Sequence, residues 1–171
     1  TNLQALIDAQ QMGIIHSGSI EIVISNKAGA YALERAERAG IETAVIEKKP
    51  GGQAEFEEKV IAKLREKQID LIVLAGFMSI LSENFVKQFD ERIINVHPSL
   101  IPSFCGKGYY GLKVHEEALK KGVKVTGATV HFVNEIPDGG KIIFQKAVQV
   151  LEKDTPETLQ KRVMKQAEWK I

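Results

Sequence analysis

Between residues 20 and 76, short apolar runs alternate with stretches of helical periodicity, and that alternation restricts the fold more than any other property of the chain. Residues 20–25 read as a strand, and after Asn26-Lys27-Ala28-Gly29 a helix runs through Tyr31, Leu33 and Ala36 to Gly40, a residue suited to ending it. Residues 43–46 give the next strand and Pro50-Gly51-Gly52 a turn. From 53 to 67, Phe56, Val60, Ile61 and Leu64 fall on one helical face. Residues 70–76, Asp70 followed by an unbroken apolar run, read as a strand covered on both faces. Strand, helix, strand, helix, strand predicts an α/β fold built on a mostly parallel sheet with right-handed crossovers and helices on both faces.

The chain begins as a helix would, Thr1 or Asn2 serving as cap ahead of Leu3, Leu6 and Ile7. Past residue 76, Ser82 caps a short helix through Phe85 and Phe89, and a strand follows from Arg92. A helix of Leu112, Val114, His115 and Leu119 closes at Gly122. Residues 125–133 and 141–150 are long strands joined by residues 134–140, an antiparallel C-terminal pair, and Asp154-Thr155-Pro156 opens a last helix.

The chemistry concentrates at Asn95-Val96-His97-Pro98, where an apolar strand stops at an amide and an imidazole. In an extended strand residues 95 and 97 share a face, and Pro98 and Pro102 then force the chain out of regular structure. Open α/β sheets bind ligands at the carboxyl ends of their strands, so the position suits a site; a His-Pro pair that merely caps a turn has the same local sequence. Asp138-Gly139-Gly140 is a strong hairpin signal, yet the connection is longer than a tight turn requires. A carboxylate delivered from it to an imidazole would raise the ring's proton affinity and fix its orientation. Thr129 and His131 share a face of their strand, where a satisfied core histidine is the plainer reading. His16 in a loop and His115 on a helix default to solvent. No Cys/His pair has zinc spacing, which argues against metal catalysis. Cys105-Gly106-Lys107-Gly108-Tyr109-Tyr110-Gly111 lacks the Gly-Lys-Ser/Thr ending of a phosphate loop and reads as a covering loop.

The 171 residues fit one domain, 1–171. With 23 basic against 22 acidic residues, a net charge of +1 provides no field to attract nucleic acid or an anionic membrane. One cysteine agrees with a reducing compartment, and no apolar run approaches a membrane span, so the expectation is a cytoplasmic protein acting on small molecules.

Four segments, Leu74-Ala75-Gly76-Phe77-Met78-Ser79-Ile80-Leu81, Asn95-Val96-His97-Pro98-Ser99-Leu100-Ile101-Pro102, Val125-Thr126-Gly127-Ala128-Thr129-Val130-His131-Phe132-Val133 and Asp138-Gly139-Gly140, resemble in content and order the 10-formyltetrahydrofolate-using formyltransferase family, in its glycinamide ribonucleotide branch. The resemblance implies a Rossmann-like formyltransferase fold and formyl transfer from 10-formyltetrahydrofolate, a co-substrate, to the amine of glycinamide ribonucleotide in purine biosynthesis, without a metal. It implies catalytic roles for Asn95, His97 and Asp138, supporting roles for Thr129 and His131, and folate contacts from Met78, Ser79, Ile80 and Leu81. Thr1 and Asn2 resemble the end of the family's phosphate loop and Glu168 its ribose-binding Glu, which implies a chain trimmed at both ends. Two departures stand out: Ser79 replaces an Arg common in the family, and the loop from Cys105 to Tyr110 is longer than in several relatives. The same Asn, His and Asp would serve a formyltetrahydrofolate hydrolase, and a folate- or nucleotide-binding protein without catalysis is a third expectation. The subunit state expected is a monomer or homodimer.

Overall fold

A short connection fixes strand direction, whereas a long one leaves it open. In the computed structural model, which describes residues 1–77 and 79–171, the helix-bearing links between the early strands permit parallel return, whereas the loop joining the last two strands enforces an antiparallel hairpin. The chain divides into two units, Thr1–Asp70 and Leu71–Ile171.

The first unit contains α1 (Asn2–Gln11), β1 (Ile22–Ser25), α2 (Tyr31–Arg38), β2 (Glu42–Val45) and α3 (Gln53–Glu66). Thr1 caps α1, its hydroxyl accepting from the Gln4 amide at 3.3 Å. β1 and β2 pair in parallel from Ile22 opposite Glu42 to Ser25 opposite Val45. Ile7, Ala36 and Ile41 form the buried core of this unit, with Leu3, Ile20 and Val23 packed against them.

The second unit runs β3 (Ile72–Leu74), α4 (Glu83–Gln88), β4 (Ile93–His97), α5 (Leu112–Lys121), β5 (Val125–Phe132), β6 (Ile142–Gln149), α6 (Pro156–Gln166) and a 3-10 turn at Glu168–Lys170. Its strands lie in the order β3-β4-β5-β6, with β3 parallel to β4 and the other neighbours antiparallel. Ala128 and Val148 of the sheet pack on Leu159 and Val163 of α6 and on Ala167. That helix starts firmly. Thr155 and Thr158 exchange side-chain and backbone hydrogen bonds in a capping box, and Arg162 forks onto Asp154, one bond measuring 2.6 Å. The Arg162 fork, joined by the Leu151 amide and Thr158 hydroxyl, holds the Asp154 carboxyl well below the usual carboxylate range despite desolvation.

The α/β class follows the sequence reading, as does the change from parallel to antiparallel pairing. Strand pairing among the described residues falls into a two-stranded and a four-stranded sheet. Two expectations need correcting. The run at 70–76, read as covered on both faces, yields a strand of three residues whose Val73 is 37% exposed. Among the described residues β3 pairs with β4.

His115, read as a surface histidine, is 1% exposed and shares the inner stripe of α5 with Val114 and Ala118. Neither ring nitrogen has a hydrogen-bond partner among the described residues. Burial first, and the charge of His97 second, push its pKa from the ordinary 6.5 down to about 4. The unfolded chain therefore takes up this proton before the folded one does. Stability is complete above pH 6.5 and is lost as the pH falls toward 4, by at most about 1.4 kcal/mol per pH unit. Urea titrations at pH 7 and pH 5 should show this acid-side loss in the wild type and a flatter response in His115→Leu; equal slopes in the two proteins would contradict a buried neutral ring.

Candidate active site

Register brings the polar side chains together. β4 and β5 pair so that Asn95 lies opposite His131 and His97 opposite Thr129, and β5 pairs with β6 so that Thr129 lies opposite Gln145. Directly opposed residues point to one face, and residues two apart on a strand do the same, so five side chains that can hydrogen-bond share one side of the sheet.

Asp138 reaches this group from the loop between β5 and β6. Its φ of +55 is left-handed, a conformation that Asp tolerates better than most residues. Two residues on, the backbone passes so close to the Phe132 carbonyl that a Cβ on Gly140 would lie 1.7 Å from the oxygen. The Asp-Gly-Gly sequence therefore has a steric reason as well as a chemical one.

The Asp138 carboxylate faces two imidazoles. Oδ2 is 3.4 Å from His97 Nδ1, and Oδ1 is 3.6 Å from His131 Nε2. The Gly106 amide donates to Oδ2 at 2.8 Å. Burial opposes the charge, but the hydrogen bonds from His131 and Gly106 and the fields of His97 and His131 outweigh it, so the carboxyl lies below the ordinary range. Burial, and then the charge of Asp138, push the Cys105 thiol up, which disfavours a thiolate nucleophile there.

His97, 4% exposed, has Nε2 at 2.9 Å from the Phe104 carbonyl oxygen. A carbonyl can only accept, so Nε2 carries hydrogen and Nδ1 faces the carboxylate; only the doubly protonated ring donates to both. His131 has Nδ1 at 2.8 Å from the Phe132 carbonyl, and its Nε2 stands 3.4 Å from Asn95 Nδ2. That nitrogen donates to Asp138 when it holds a proton and accepts from Asn95 when it does not. Asn95, His131, Asp138 and His97 thus form one continuous chain of polar contacts.

A second network fixes the loop that leaves β4. The Thr129 hydroxyl, fully buried, donates to the Ser99 carbonyl at 2.7 Å and accepts from the Ile101 amide at 3.1 Å and from Gln145 Nε2 at 3.0 Å. Gln145 also donates to the Ile101 carbonyl at 2.9 Å, and the Ser99 hydroxyl donates to the Ser103 carbonyl at 2.5 Å.

The remaining expected residues lie as follows. Leu74 of β3 pairs with Asn95, so the segment after β3 leaves from the same carboxyl end of the parallel pair as the Asn95 and His97 cluster. There Ile80 is 64% exposed, Leu81 is buried and Ser79 is half-buried, while Met78 lies outside the described residues. Thr1 and Asn2 begin α1 of the first unit, and Glu168 sits in the 3-10 turn of the second. Sequence reading missed Ser99, Phe104, Gly106 and Gln145. Phe104 and Gly106 act through backbone groups, which leave no mark on residue type; Gln145 was findable only from the register that sets it opposite Thr129. Among the described residues, no three His, Cys, Asp or Glu side chains are grouped to hold a metal ion, and no helix is long and apolar enough to cross a membrane.

The profile of the family described as formyl transferase matches residues 1–171. The trifunctional purine biosynthetic protein adenosine-3 of Gallus gallus is 50% identical over 169 residues, which are 98% of this chain and 16% of that protein. A phosphoribosylglycinamide formyltransferase of Haemophilus influenzae is 42% identical over 97% of this chain and 76% of its own length. The crystal structure of phosphoribosylglycinamide formyltransferase from Anaplasma phagocytophilum superimposes with a TM-score of 0.86 at 44% identity, covering 99% of this chain and 76% of that one. The chain spans about one sixth of the length of the trifunctional relatives it matches.

Thr129→Val keeps the shape but strands the Ile101 amide and removes the donor to Ser99. Chemical denaturation should show a loss of about 2 kcal/mol, with Thr129→Ser losing less than about 1 kcal/mol; equal losses would mean that the hydroxyl is not the pin.

Proposed function

Because this chain belongs to the formyl transferase family, we propose that it transfers a formyl group from 10-formyltetrahydrofolate to the primary amine of glycinamide ribonucleotide, a step of purine biosynthesis. The folate supplies the formyl carbon to the attacking amine, and the proton lost by the amine ends on the folate nitrogen that leaves. The observation that carries the reading is the contact chain from Asn95 through His131 and Asp138 to His97, on a strand whose Asn95 pairs with Leu74 at the carboxyl end of β3.

The Asn95 amide has two N–H donors, and one directed at His131 leaves the other for the formyl oxygen as negative charge builds there. His97, when doubly protonated, adds positive charge to the same region. Both of its ring nitrogens already face acceptors, so in this arrangement its effect is electrostatic rather than a direct bond. Asp138, with a side chain 14% exposed, keeps contact with solvent and orders a water that carries the proton away from the amine. Thr129 and His131 support the site: Thr129 fixes the loop after β4 and His131 holds Asn95 and Asp138 in reach of each other.

The exposed side chain of Ile80 offers apolar surface suited to the flat face of a pterin. Ser79 and Met78 complete that contact in the proposal, Ser79 offering a hydroxyl where many relatives have Arg. Thr1 and Asn2, at a helix N-terminus suited to a phosphate, and Glu168, suited to ribose hydroxyls, bind glycinamide ribonucleotide. The protein is proposed to act in the cytoplasm on small molecules, as a monomer or homodimer.

The test is formyl transfer by the full-length protein that carries this chain, with glycinamide ribonucleotide and 10-formyltetrahydrofolate supplied. Formylated amine should accumulate, and Asn95→Ala should lower kcat by roughly 10²- to 10³-fold. Since the folded Asp138 titrates below the ordinary carboxylate range, kcat/KM corrected for the fraction of substrate whose amine is unprotonated should hold through mildly acidic pH and fall only as that carboxylate takes up a proton, a limb absent from Asp138→Asn. Formate released without formylated amine would replace the proposal with a hydrolase, and binding without turnover would remove catalysis altogether.

A further inference from the structure

We propose that the turn formed by Phe104, Cys105 and Gly106 is a positioning element for the proposed site, its Phe104 carbonyl and Gly106 amide holding His97 and Asp138 from opposite ends. This rests on the formyl-transfer reading of those two side chains. The two backbone groups lie two residues apart, yet each meets a different member of the pair: the carbonyl at 2.9 Å from His97 Nε2 and the amide at 2.8 Å from Asp138 Oδ2. Left-handed conformations at Phe104, φ +49, and Gly106, φ +88, give the turn this shape. The turn is anchored on both sides. Ser99 donates to the Ser103 carbonyl at 2.5 Å and to the Phe104 carbonyl at 3.4 Å, Cys105 Sγ donates to the Pro102 carbonyl at 3.3 Å, and the Phe104 ring lies 6.4 Å from that of Tyr109.

The arrangement decides where protons sit. The Phe104 carbonyl keeps hydrogen on Nε2 of His97, so the neutral ring cannot turn its single N–H to Asp138, and any proton gained or lost is the one on Nδ1, beside the carboxylate. The Gly106 amide holds Oδ2 with a donor that never titrates, at a shorter distance than His97 achieves. Asp138 therefore retains a partner when His97 has given up its proton, and remains an acceptor during the reaction. The titratable groups facing Asp138 are His97 from β4, His131 from β5 and Cys105 of the turn itself; behind them, the charge of His97 acts on His115 of α5.

A matched pair of variants isolates the turn. Gly106 and Gly108 have φ of +88 and +90; a Cβ on Gly106 meets nothing within 4 Å, and one on Gly108 meets only Lys113 Nζ at 3.9 Å. Alanine at either position thus imposes similar backbone strain with almost no steric contact, but only residue 106 donates to Asp138. In Gly106→Ala the Asp138 carboxyl titration, followed by carbon NMR, should move up by about half to one pH unit, and nitrogen NMR of His97 should lose its fixed hydrogen on Nε2. Gly108→Ala should leave both unchanged. In the wild type the Gly106 amide proton should shift in step with the Asp138 carboxyl, a measurement that stands even if Gly106→Ala fails to fold. An equal response to the two substitutions, or a Gly106 amide signal constant through the Asp138 titration, would overturn the proposal. These readouts need no substrate, so a failure of formyl transfer would sink the proposed function without deciding the role of the turn.

Discussion

A carboxylate that is largely removed from water yet remains charged is the constraint on which this structure turns. Asp138 is desolvated, and its charge survives because the Gly106 amide and two imidazoles surround its oxygens. His131 lies on the strand that leads into its loop, whereas His97 and Gly106 are distant in sequence, so the fold must deliver those two separately. The antiparallel register of β4 and β5 delivers the histidines, and the long loop out of β4 delivers the amide. Loss of any one leaves a buried charge short of a partner, a defect that costs far more than the bond alone contributes.

The rest of the second unit serves that arrangement. The sheet places Asn95, His97, Thr129, His131 and Gln145 on one face through two registers. Thr129 and Gln145 then tie down residues 99–101, and Ser99 ties down residues 103 and 104. The path from the buried Thr129 hydroxyl to the Phe104 carbonyl is therefore built from short polar links. For the proposed chemistry this rigidity has a purpose, since proton transfer is effective only when donor and acceptor are held within hydrogen-bond reach.

Much of this was legible in the sequence, for definite reasons. Helical spacing at Phe56, Ile61 and Leu64, and strand alternation around Asn95 and His97, gave the α/β class and put the amide and imidazole on one face. The excess length of the loop before Asp138 hinted that its carboxylate was more than a turn residue, and the coordinates set it beside His97 and His131. Other features were present in the sequence and misread. His115 lies three and four residues before Ala118 and Leu119, the spacing of a buried stripe, but its polarity outweighed its position. The glycine-rich loop, read as a cover, also turns backbone groups inward, which composition cannot show. Phe104 and Gly106 act through a carbonyl and an amide that every residue but proline could have supplied, so only coordinates reveal them.

The most direct test of the central claim is a crystal structure of the full-length protein with a folate analogue that carries a hydrated aldehyde in place of the formyl group, mimicking the tetrahedral carbon. The account predicts one hydroxyl of that carbon within about 3 Å of Asn95 Nδ2, with Asp138 still facing His97. A tetrahedral carbon seated beyond hydrogen-bond reach of Asn95, with the Asp138 carboxylate turned out to bulk water, would contradict it.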